Sequence, residues 1–176
     1  MSFSAVAATW QNFYLLVGAA AATLVGLMFV AITFGASMIE VKDASSTRSF
    51  LDPVLTHFVQ VLLTACLVVA PSTGPVLLGV LLVAMGALRL ATLVRVHRHM
   101  REAQRVANDI ELSDWISGIF LPLAAHLALA GCGVAFALGA RPFGALAALT
   151  VVILLVGIYG AWELVLWLAL TRSRRT

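Results

Sequence analysis

Arg89 and Glu163 are charged side chains set inside long apolar runs, and His57, Gln60 and Thr64 follow one another at i, i+3 and i+7. That second spacing puts all three on one face of a helix. Tyr159 stands one turn before Glu163, on the same face. An arginine opposite a carboxylate, beside a histidine that exchanges protons near neutral pH, is a minimal set for moving an ion, a proton or a small polar solute. The same set also serves as a polar clamp that fixes helix register. The spacing predicts one cluster of His57, Gln60, Arg89, Tyr159 and Glu163, with Arg89 and Glu163 paired at matching depth.

Two further polar features stand apart from that cluster. His126 comes one turn after Pro122, where a proline-altered backbone offers it a hydrogen-bond acceptor, and it reads as a satisfied buried histidine or a relay. Near the start of the chain, Gly18, Ala22 and Gly26 form a small-residue ridge suited to close helix packing. Beside it Thr23, Gly26, Thr33, Ser37 and Glu40 make a stripe that lines a narrow pore in an assembly, or packs with its hydroxyls on backbone carbonyls.

The elements that must carry these residues follow from composition. The chain has 176 residues, 62% hydrophobic and 11% charged, whereas soluble domains average roughly half apolar and a quarter charged. Crossing a bilayer takes about 20 apolar residues, and residues 13–38 and 115–140 hold no Asp, Glu, Lys or Arg. The expected fold is an all-α integral membrane protein, a single domain over residues 1–176 made of a bundle of about five transmembrane helices. Their predicted spans are 13–38, 53–70, 76–94, 115–139 and 144–170, with Asp52-Pro53 as cap and first residue of the second. Between the third and fourth, Met100, Ala103, Ala107 and Ile110 recur at helical spacing among charges, predicting an amphipathic cytoplasmic helix over 97–112.

Charge sets the expected orientation. With the N-terminus outside and the C-terminus cytoplasmic, Lys42, Arg48, Arg95, Arg98, Arg101, Arg105, Arg172, Arg174 and Arg175 fall inside and Arg141 alone outside. That is the positive-inside distribution, and it points to a multi-pass protein of a plasma (inner) membrane.

Other chemistries find no pattern here. The net charge of +3 comes from arginines at helix ends without interleaved aromatics, which argues against nucleic acid. Cys66 and Cys132 lack CxxC or histidine spacing, so no metal site is expected. His57 and His126 differ in expected depth by roughly 8 Å and do not make a haem pair, and no other cofactor pattern is present. Glu163 and His57 have no nucleophile beside them, so the chain is not expected to be an enzyme.

Trp10, Phe13, Tyr14, Gly18, Ala21, Ala22, Leu24, Gly26, Leu27, Phe29, Val30 and Ala31 together resemble the first helix of small multi-pass bacterial membrane proteins of unassigned function. The resemblance covers about the first fifth of the chain and implies no activity, cofactor or binding residue. From the residues themselves, the expected function is a homo-oligomeric membrane channel or transport-type protein for an ion or small solute, its polar pathway or gate in the inner half of the membrane. The alternative is a non-catalytic accessory or regulatory subunit of a larger membrane complex. Membrane lipids are partners in either case.

Overall fold

The computed structural model of the protein describes residues 2–35, 44–104 and 120–173. Among them there are five helices and no strand: α1 Phe3–Gly35, α2 Ala44–Val69, α3 Pro75–Gln104, α4 Leu121–Ala137 and α5 Phe143–Ser173. Three stretches are long and apolar enough to cross a membrane, Phe3–Thr33, Pro75–Thr92 and Phe143–Glu163. The other two helices carry shorter apolar stretches, Val54–Val69 and Pro122–Ala137. The all-helical fold class therefore stands, and among the described residues three helices meet the length for a span.

Helix boundaries depart from the sequence reading wherever a local stop signal is overridden. Helix α1 begins at Phe3, ten residues before the expected Phe13. Helix α2 starts at Ala44 and runs through Asp52-Pro53, so those residues are not its cap and first turn. Proline inside a helix removes one backbone donor and crowds the carbonyl four residues earlier, yet α2 continues on both sides of Pro53. Helix α3 does not end near Val94 but continues unbroken through the charged segment to Gln104. The first eight residues of the expected 97–112 surface helix are thus a continuation of α3, and its remainder lies outside the described residues.

The stops that hold have visible causes. Helix α2 closes with Ala70 N–H on Cys66 O at 2.9 Å, just before Pro71. Pro75 opens α3, where its missing N–H costs nothing. Helix α4 ends with Gly139 at φ 87°, while Gly139 N–H bonds Phe136 O and Ala140 N–H bonds Ala135 O. This is the Schellman arrangement, and the left-handed position explains the glycine. Arg141-Pro142 then turns the chain into α5 through a Phe143 N–H to Arg141 O bond of 2.8 Å.

The chain divides into two compact units, Met1–Ala8 with Pro71–Leu149, and Thr9–Ala70 with Thr150–Thr176. Helices α1 and α5 contribute to both. The core of the first unit is an antiparallel seam between α3 and α4. A Cβ placed on Gly79 would stand 2.5 Å from Gly133 O, and one on Gly86 would stand 3.0 Å from His126 O and 3.1 Å from Ala130 Cβ. Two backbones come this close only where at least one of them presents no side chain. Phe3, Phe136 and Phe143 close one end of this unit, with ring centroids 5.0–6.2 Å apart.

In the second unit Met28, Val54 and Phe58 form the core, with Leu24, Val25, Leu154 and Ala161 packed around them. Glycines again set the spacing: Gly18 meets Ala65 Cβ, Gly157 meets the Phe58 ring, and Gly160 meets Val54.

Candidate functional site

In the second unit, His57, Gln60 and Thr64 are all buried, as one shared face of α2 requires. The Thr64 hydroxyl donates to Gln60 O at 2.9 Å, so it is spent on its own helix. His57 backs onto α5 at Gly157, where an added Cβ would stand 3.2 Å from His57 Cβ.

Tyr159 and Glu163 also meet, the phenol donating to the carboxylate one turn on. They do so on the outer surface of the unit: Tyr159 is 58% exposed, Glu163 is exposed, and Trp162 beside them is 60% exposed. Helix geometry explains the split. At about 100° per residue, Gly157 and Gly160 lie within about 60° of each other, and Tyr159 and Glu163 sit about 110° further round. The glycines take the α2 side, so the phenol and carboxylate face away from it. Hence the second pair does not join His57 and Gln60 in one buried cluster. Arg89, the fifth residue of the expected set, belongs to the first unit.

The stripe on α1 is turned outward as well. Thr23 donates to Ala19 O at 2.9 Å and Thr33 to Phe29 O at 2.8 Å, and both residues are exposed. Gly26 faces open space. Ser37 and Glu40 lie outside the described residues. The ridge Gly18, Ala22, Gly26 splits, with Gly18 buried and the other two exposed. Steps of four advance about 40° each, so the ridge winds off the buried face that Tyr14, Val17, Ala21 and Met28 define.

In the first unit His126 is buried, and its Nδ1 is hydrogen-bonded to the carbonyl of Pro122 one turn earlier. Arg89 is half-buried on α3 within electrostatic range of His126. Its Nε is buried and finds no hydrogen-bond partner among the described residues. The seam glycines Gly79, Gly86 and Gly133 were not singled out by sequence reasoning. Their signal is the seven-residue step from Gly79 to Gly86, which returns to within about 20° of the same face.

Compared with protein-family models, curated proteins and solved structures, the chain matches none.

Proposed function

We propose that this protein is a multi-pass membrane protein that works as a homo-oligomeric channel or transport-type protein for an ion or small solute. In this reading five helices cross a bacterial inner membrane with the N-terminus outside and the C-terminus in the cytoplasm. The observation that carries it is the outward Tyr159–Glu163 pair. Glu163 lies seven residues before Leu170, which is about 10 Å inside the apolar run. A charged side chain at such depth costs about 3 kcal/mol against lipid on insertion scales, and such groups face a protein interior or a water-filled cavity. A carboxylate offers about four acceptor sites, and one phenol fills one of them. Assembly of several copies with this face of α5 toward a shared aqueous path supplies the rest, and the outward Thr23 and Thr33 on α1 offer a second polar face for it.

Reconstitution into liposomes tests the reading. The wild-type protein is expected to pass small ions, and Glu163→Gln to lower the flux at least several-fold while leaving the protein folded. Impermeable vesicles with correctly inserted protein would rule the channel out.

A second reading has its own observation. Helix α3 runs ten residues past Val94, about 15 Å of charged helix. An accessory subunit would use such a rod, with its arginines and Glu102, to dock on a larger membrane complex. Co-purification with a stoichiometric partner in place of self-association selects this reading.

A further inference from the structure

We propose that Arg89, at the end of the α3–α4 seam, holds a phosphate oxyanion. The inference concerns the first unit alone and does not depend on assembly. The seam runs antiparallel, with Gly79 meeting Gly133 and Ala137, and Gly86 meeting His126 and Ala130. The next turn of α3 brings Arg89 level with the turn of α4 from Pro122 to His126, and Arg89 falls within electrostatic range of that imidazole.

A guanidinium carries five N–H donors. Here Nε is buried without a partner among the described residues. The Thr92 hydroxyl donates to Arg89 O at 2.8 Å, and His126 Nδ1 is bonded to Pro122 O. A buried N–H left open in an apolar surround is costly, and an oxyanion that accepts from the guanidinium fork is its natural complement.

Position favours phosphate. Arg89 stands five residues before Val94, where the expected third span ends, so its Cα lies about 7.5 Å inside that end. Its side chain is long enough to reach back to the interface, where lipid phosphates lie. The chemistry is the same whether the phosphate belongs to a phospholipid headgroup or is free in solution.

The test uses delipidated full-length protein in a neutral detergent, titrated separately with phosphatidylglycerol and with inorganic phosphate, binding being read by native mass spectrometry and by thermal stabilisation. Wild type is expected to bind the lipid, Arg89→Gln to bind it at least tenfold more weakly, and Arg89→Lys, which keeps the charge but loses the fork, at least threefold more weakly. Arg141→Gln, on a loop, is expected to match wild type. If inorganic phosphate neither binds nor competes at millimolar concentration, the site takes a headgroup; if it binds alone and is lost with Arg89, the site takes free phosphate. Equal affinity of wild type and Arg89→Lys for both probes overturns the proposal, and this variant decides the matter if Arg89→Gln does not fold.

Discussion

In α4 the imidazole of His126 is hydrogen-bonded through Nδ1 to the carbonyl oxygen of Pro122, the residue one turn before it. A carbonyl oxygen only accepts, so Nδ1 is the protonated nitrogen and the neutral ring keeps its lone pair on Nε2. The backbone around the proline thus orients a buried histidine. In turn, the carbonyl of His126 lies against Gly86 of α3.

Nitrogen-15 NMR of labelled histidine, with His126 assigned by its loss in His126→Phe, is expected to find the Nδ1–H tautomer. Removing the ring's hydrogen bond in that variant should cost about 1 kcal/mol of stability. An Nε2–H signal for His126 would show that the bond to Pro122 is not made.

The glycine seam makes a prediction with an internal control. Gly79→Ala would push its methyl to 2.5 Å from the fixed backbone oxygen of Gly133, and Gly133→Ala to 2.6 Å from that of Gly79. Backbone cannot swing aside as a side chain does, so each is expected to destabilise by roughly 1–3 kcal/mol. Gly131→Ala, on the exposed side of α4 with nothing within 4 Å, should be neutral or gain up to about 1 kcal/mol from helix propensity. Unfolding in detergent, followed by circular dichroism, measures all three.

Phe58 is fully buried and packs on Gly157. In a membrane protein the ring sits in an apolar medium whether packed or not, so Phe58→Ala loses packing and leaves a cavity but forfeits little transfer energy. The expected loss is about 2–3 kcal/mol, at or below the lower end of the range for aqueous cores. Gly157→Leu, which drives atoms into the same ring, should destabilise as well, and a combination of the two should cost less than the sum of both. Strict additivity in the same unfolding assay would place the two residues out of contact.

Much of this was legible in the sequence. Long apolar runs announced helices, and the i, i+3, i+7 spacing of His57, Gln60 and Thr64 placed them on one buried face. The one-turn spacing of Tyr159 and Glu163 put them on a shared face, where the phenol meets the carboxylate. What spacing within a helix does not convey is which face a neighbouring helix takes. On α5 that choice fell to Gly157 and Gly160, where α2 comes close, and it turned Tyr159 and Glu163 outward. On α1 the ridge at four-residue steps looked continuous in the sequence, yet it winds about 80° between Gly18 and Gly26. Boundaries were least legible where the signal was a single residue, as at Pro53 inside α2.

The central claim is that the outer face of α5 around Tyr159, Trp162 and Glu163 meets another copy of the chain. Its most direct test is disulfide cross-linking of Trp162→Cys in lipid bilayers, with Cys66 and Cys132 replaced by Ala. Covalent dimers that persist as the protein is diluted in lipid, and that fall away when the cysteine is moved to Ile153 on the buried side of α5, are the expected result. A chain that stays monomeric and uncross-linked at every dilution would contradict the account.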